Sequence, residues 1–239
     1  ALKKALDDAR SLYNLIRLSV PWRALHDRID RGELRAFMVS ATDVGSGRTR
    51  IFTDGNVPLR RAATSTATAT RIGPEHCLAS AAIPFVFPGI RIEGRYFVDG
   101  ALRQNTPISP AVEAGVNRAL VIGVKQLKGD EDGPNHSPTP VFLAGKALNA
   151  LMLDPIEENI RRLEAVNDLL RWGQATWPDF MERLTTEYKP YQIVEHVFVR
   201  PSEDLGRMAA TIFESVRADL PCAIAQLFSA IPGKDDHQE

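Results

Sequence analysis

The apolar run Tyr96-Phe97-Val98 ends on Asp99-Gly100-Ala101, so a carboxylate closes a strand just where a glycine turn begins. The hairpin before it, Ile90 to Val98, already has its turn at Glu93-Gly94, and loop and helix follow instead of a return strand. A strand that hands over to a helix in this way belongs to an alternating α/β architecture. An acid at its carboxyl end sits where such folds place their ligands. Asp-Gly alone is turn chemistry, and it recurs at Asp54-Gly55 and Asp132-Gly133. Context alone sets Asp99 apart, since the other two are expected in loops.

The flanking sequence supports the same class. Leu2, Leu6, Ala9, Leu12 or Tyr13, and Ile16 share one helical face, which predicts a helix over 2–18. Pro21 ends it and suits the first turn of a second helix through Trp22, Leu25 and Ile29. Leu34 to Asp43 reads as an inner strand, turned by Gly45-Ser46-Gly47 into an antiparallel neighbour, Arg48 to Thr53. Ala62 to Thr70, made of small residues, reads as a loop with little to bury. Pro74 to Ala82 is a short helix stopped by Pro84, and Ala119 to Val124 has the continuous apolar run of a strand covered on both faces.

Beyond Gly129 the composition becomes polar as far as Pro138. A boundary is therefore expected at about residue 128, with a mostly helical extension over 129–239. Val141 to Leu153 reads as an apolar helix. Asp154-Pro155-Ile156-Glu157 opens another, whose stripe of Ile156, Ile160, Leu163, Val166 and Leu170 predicts core packing. Arg161, Arg162 and Arg171 mark its solvated face. Trp172, Trp177, Phe180 and Met181 are read as packing ahead of lipid contact. Val194 to Val199 is a last strand, helices follow to about Leu227, and the tail from 233 is polar.

Several function classes drop out. A net charge of −1 without a basic tract gives nucleic acid nothing to bind. His26, His76, His136, His196 and His237 show no metal-ligand spacing, and Gly145-Lys146 lacks the rest of a phosphate loop. Cys77 and Cys222 are too few for a disulfide framework and read as buried small hydrophobes in a reducing compartment. No apolar run approaches the roughly 20 residues of a membrane span, and no signal peptide opens the chain. The cytoplasm or the membrane periphery is the expected location. The first residue is Ala1, as in an excerpt of a longer polypeptide or a processed one.

Five ordered blocks carry a specific resemblance: Val39-Ser40-Ala41-Thr42-Asp43, Phe52-Thr53-Asp54-Gly55, the proline-bounded run Ala79 to Pro88, Asp99-Gly100-Ala101, and Asn105-Thr106-Pro107-Ile108. Together they resemble the C-terminal portion of patatin-like phospholipases, with the good match running from about Leu34 to Val124. The resemblance implies a three-layer α/β/α fold with a mainly parallel sheet, and hydrolysis of a phospholipid or other acyl ester by a Ser–Asp dyad. It implies Asp99 as the catalytic aspartate, with Gly100 and Ala101 as the turn beside it. Neither metal nor organic cofactor belongs to such a dyad, and contact with a membrane surface goes with the substrate.

The nucleophile is missing. No serine here has glycine at both positions two away; Ser46 lies in a turn, and Ser80, between alanines, reads as a small helix residue. The family's glycine-rich oxyanion loop is absent as well. Both precede the region that matches Leu34, and the 33 residues before it read as helices. The chain is thus expected to lack an N-terminal portion of the same protein and to be inactive alone. The rival reading is a non-catalytic lipid- or protein-binding module derived from the same fold. Use of Asp99 as its own nucleophile would need a second acid or a magnesium cluster, and none is visible.

Overall fold

The computed structural model describes residues 2–57, 65–84, 86–104, 108–124, 155–187 and 191–203, with isolated helical positions at 143, 147, 205, 208, 211, 212 and 215. Helix α1 spans Leu2–Ser19, and Pro21 caps α2, Trp22–Asp30. Strands β1, Ala36–Asp43, and β2, Thr49–Gly55, form the expected antiparallel pair through the turn at 45–47. Strand β3 is Ser65–Ala69 and α3 is Pro74–Ser80. The hairpin β4, Ile90–Ile92, and β5, Arg95–Asp99, turns at Glu93 and Gly94 with φ of 49° and 80°. Two left-handed residues in a row match the twist of the flanking strands, and Gly94 takes that conformation without Cβ strain. Short helices α4, Ala101–Gln104, and α5, Ile108–Glu113, follow.

These strands make one five-stranded sheet in the order β3-β2-β1-β5-β4. The α/β class is as expected, but a mainly parallel sheet is met only in part. β2 and β3 run parallel, whereas β1–β2, β1–β5 and β4–β5 are antiparallel. The reason is local: a short turn and a two-residue turn connect two of these pairs, and only antiparallel strands can be joined so briefly. Ala62 to Thr70 corrects the loop expectation over its described part, because Ser65 to Ala69 is a strand. Its small residues, with β-branched Thr66 and Thr68, pair with Thr49 to Thr53.

The core lies where β1, β2 and β5 meet α3. Val39, Ala41, Phe52, Ile72, Ala79, Ile92 and Phe97 are buried together, with Trp22 and Phe37 packed against them. Phe52 stands edge-on to Phe97 at 5.3 Å and to His76 at 4.7 Å. Consecutive residues Ile51, Phe52, Thr53 and Asp54 are all buried. Successive strand residues point to opposite faces, so both faces of β2 are covered, as in a layered α/β fold.

Two compact units divide the chain: Ala1–Ala119 with Pro155–His196, and Leu120–Asp154 with Val197–Glu239. The boundary read near residue 128, the polar run to Pro138 and most of Val141 to Leu153 lie outside the described residues, as do Cys222 and the polar tail. In the first unit, helix α6, Pro155–Thr176, buries Ile156, Ile160, Leu163 and Leu170 as predicted. Val166 departs from the stripe and is 38% exposed; Asn167 is buried instead. The Asn167 side-chain amide donates to the Val194 carbonyl at 2.8 Å and accepts from the Val194 N–H at 2.9 Å, so a polar residue closes the contact. Arg161, Arg162 and Arg171 make exposed ion pairs within the helix, as a solvated face should.

Helix α7 is Phe180–Glu187. Strand β6, Arg118–Ile122, and β7, Glu195–Val199, form a two-stranded sheet. The Glu195 N–H bonds to the Asn117 carbonyl and the Gly123 N–H to the Val199 carbonyl, both at 2.9 Å, an order that makes the pair parallel. Cover on both faces is not what β6 has: Val121 is buried, whereas Leu120 is 67% and Ile122 71% exposed. The continuous apolar run concealed this alternation. No helix of the described residues is long and apolar enough to cross a membrane.

Candidate functional site

Asp99 is the last residue of β5, in register with Ala41 of β1. The hairpin turn lies four strand residues earlier, so Asp99 does not close it. Its backbone N–H donates to the Ala82 carbonyl at 2.9 Å, and its carbonyl accepts from the Thr42 hydroxyl at 3.0 Å. Thus three of the sequence blocks converge here: the end of β1, the residues after α3, and the Asp-Gly-Ala turn. Asp99 Oδ1 accepts from the Ala101 N–H at 2.8 Å, a side-chain turn typical of aspartate. The carboxyl is buried, and burial raises its pKa; the Ala101 N–H offsets this only in part. Among the described residues no positive side chain contributes to that balance.

Gly100 is required by a close approach. A Cβ on it would lie 2.4 Å from the Ser40 carbonyl oxygen and 2.8 Å from Ser40 Oγ. Any larger residue would push the turn off β1 and take the aspartate with it. Ala101 begins α4 and is half-buried. Asn105 to Pro107 lie outside the described residues.

The second Asp-Gly pair is not the loop feature that its sequence predicts. Asp54 lies within β2 and is buried. Its Oδ2 accepts from the Ile72 N–H at 3.1 Å and lies 3.5 Å from His26 Nε2, while Arg71 approaches Oδ1 at 3.6 Å. Arg71 also grips Asp30 through two bonds of 2.8 Å. This carboxylate therefore fastens α2 and the segment before α3 to the sheet. The third pair, Asp132-Gly133, lies outside the described residues.

Asp43, at the end of β1, forms another anchor that sequence reasoning did not single out. Its Oδ2 accepts from Arg95 Nε at 2.6 Å and its Oδ1 from the Ser46 N–H at 2.9 Å. Burial alone would raise its pKa, but the Arg95 guanidinium and the Ser46 N–H outweigh burial and hold the carboxyl below its usual range. A depressed carboxyl stabilises the fold above its unfolded pKa of about 3.8 and loses that contribution as pH falls through the lower folded value. Asp43→Asn should therefore lower unfolding free energy by about 1–3 kcal/mol at pH 7, with the gap to wild type closing below about pH 4. Urea titrations at pH 7 and pH 3 check this; an equal gap at both would contradict it.

His76 is buried, and its Nδ1 accepts from the Gly73 N–H at 3.0 Å at the start of α3. Among the described residues no group of histidine, cysteine and acidic side chains could hold a metal ion. Cys77 is half-buried and its thiol pKa is raised, first by burial and then by Glu75, so it is a poor nucleophile. Ser80 ends α3 as a small helix residue, and Ser46 sits in the β1–β2 turn. Trp172 stands edge-on to Trp177 at 5.0 Å, and Trp177 stacks on Phe180 at 6.0 Å. The cluster packs on itself, yet Trp172 stays 57% and Trp177 46% exposed. A polar depression of about 470 Å³ lined by Glu164, Asn167, Arg171 and His196 contains none of the sequence-predicted site residues.

Thr42 and Asp43 could have been noticed from sequence as polar residues inside an apolar strand. Their partners, Asp99 and Arg95, lie more than fifty residues away and carry no local signal.

Comparison with known proteins gives one finding. A family model described as Patatin-like phospholipase matches residues 1–112, which include β1 to β5 and the Asp99 turn. No curated protein matches the chain.

Proposed function

We propose that this chain, whose residues 1–112 match the family model of patatin-like phospholipases, is part of a lipid acyl hydrolase and supplies the aspartate of its Ser–Asp dyad. The observation that carries the proposal is Asp99 itself, buried at the end of β5 and held by both of its main-chain groups. A serine hydroxyl is a poor nucleophile until a base takes its proton. A carboxylate whose proton affinity is raised by burial is the better acceptor.

In this scheme the serine oxygen attacks the acyl carbonyl while its proton passes to Asp99. The ester bond to the alcohol then breaks, the alcohol leaves with that proton, and the acyl group remains on serine. Water attacks the acyl-enzyme as Asp99 takes its proton, the bond to serine breaks, and Asp99 returns the proton to the serine oxygen as the fatty acid departs. The serine and the donors that stabilise the oxyanion come from an N-terminal portion of the same protein. No metal or organic cofactor enters. The substrate is a phospholipid or another acyl ester, and the half-exposed indoles of Trp172 and Trp177 support contact with a lipid surface.

The experiment is direct. Residues 1–239 alone should neither turn over short-chain nitrophenyl esters nor react with a fluorophosphonate. The polypeptide extended upstream through a Gly-x-Ser-x-Gly segment should do both. Robust turnover by the short chain, with label on one of its own serines, would overturn the proposal. An extended polypeptide that stays inert would favour the non-catalytic module.

A further inference from the structure

β4 pairs with β5 from Arg95 to Phe97, so among the described residues the end of β5 that carries Asp99 has a strand neighbour on one side alone, β1. Its main chain is held there by two bonds outside any strand pairing, to the Ala82 carbonyl and from the Thr42 hydroxyl. We propose that Thr42 is a positioning residue for Asp99, whose hydroxyl fixes the peptide between Asp99 and Gly100 and so the direction in which the carboxylate leaves the strand. The inference rests on the role proposed above for Asp99.

Three observations carry it. Thr42 is buried, so water does not compete for its hydroxyl, and losing that donor deprives the Asp99 carbonyl of a buried hydrogen bond. The peptide that it holds leads into Gly100, which lies against the Ser40 carbonyl too closely for any Cβ. The next N–H, that of Ala101, is the one bonded to the Asp99 carboxylate at 2.8 Å. A tilt of the Asp99–Gly100 peptide therefore moves the donor that orients the carboxylate. Thr42 touches no reacting atom and acts through Asp99.

Thr42→Val removes the donor at nearly constant shape, and Thr42→Ser keeps it. Thr53→Val is the control, because Thr53 is equally buried in the sheet and its hydroxyl has no partner among the described residues. Amide hydrogen exchange is read on the chain itself, and kcat and KM on the polypeptide that bears the serine. Thr42→Val should speed exchange at Asp99 and Ala101 by about tenfold, the size of one lost hydrogen bond, and leave β2 amides unchanged. It should lower kcat by about 10–100-fold with KM nearly constant, as expected when a catalytic group is misplaced. Thr42→Ser and Thr53→Val should match wild type in both readouts. Wild-type exchange and kcat in Thr42→Val would overturn the proposal. So would equal losses in the Val and Ser variants accompanied by faster exchange throughout β2, because Thr42 would then be packing only. Failure of the Asp99 role itself would show separately, as undiminished kcat in Asp99→Asn.

Discussion

Asp99→Asn in the polypeptide that bears the serine should lower kcat by about 10²–10⁴-fold, the usual cost of losing a positioned base. KM should change little if, as proposed, the carboxylate acts on the serine proton and not on the lipid. Stability should hold or rise. Burial raises the folded pKa of Asp99 above its ordinary value of 3.8, so its ionised form costs stability at every pH above the unfolded pKa. Asparagine carries no charge to desolvate, keeps an oxygen for the Ala101 N–H and removes that cost. A melting temperature equal to or above wild type, beside a collapsed kcat, separates loss of chemistry from loss of fold. Asp168→Asn is the fitting control, because Asp168 is an exposed carboxylate paired with Arg171 on its own helix. Asp54 cannot serve, since its buried bonds to the segment before α3 make any substitution there a structural one. Equal, modest losses in Asp99→Asn and Asp168→Asn would return Asp99 to a turn residue.

The second large effect is on the fold beneath the site. Phe52→Ala should lower unfolding free energy by about 3–5 kcal/mol. Phe52 is 2% exposed and meets both Phe97 of β5 and His76 of α3 edge-on, so its removal empties the point where sheet and helix join. The two elements that bracket Asp99 would lose their common contact. Urea unfolding followed by circular dichroism reads the loss. A change below about 1 kcal/mol would mean that the cavity closes without cost and that this cluster is not the keystone described.

The pattern of what was legible follows the range of the interactions. The β4–β5 hairpin, the β1–β2 pair and α3 are encoded by neighbours: Glu93-Gly94, Gly45-Ser46-Gly47 and Pro74 act within a few residues of the structure they produce. The position of Asp99 at a strand end was equally local. Strand β3 was not, because Ser65 to Ala69 lacks large apolar residues and becomes a strand only by pairing with β2. Asp54 looked like its counterpart at Asp99 because Asp-Gly is the same dipeptide in both places. Its burial depends on Ile72, Arg71 and His26, which are distant in sequence. Val166 and Asn167 exchanged their expected roles because the asparagine amide meets both main-chain groups of Val194. The exposed side of β6 was hidden by a run apolar at every position.

Asp99, in the role proposed for it, should meet a serine supplied from outside residues 1–239. A crystal structure of the serine-bearing polypeptide, trapped with an organophosphonate on its nucleophile, measures this directly. The phosphonylated serine Oγ should lie within about 2.6–3.2 Å of an Asp99 carboxylate oxygen, or be joined to it through one water. A label on any serine within residues 1–239, or on a serine remote from Asp99, would contradict it.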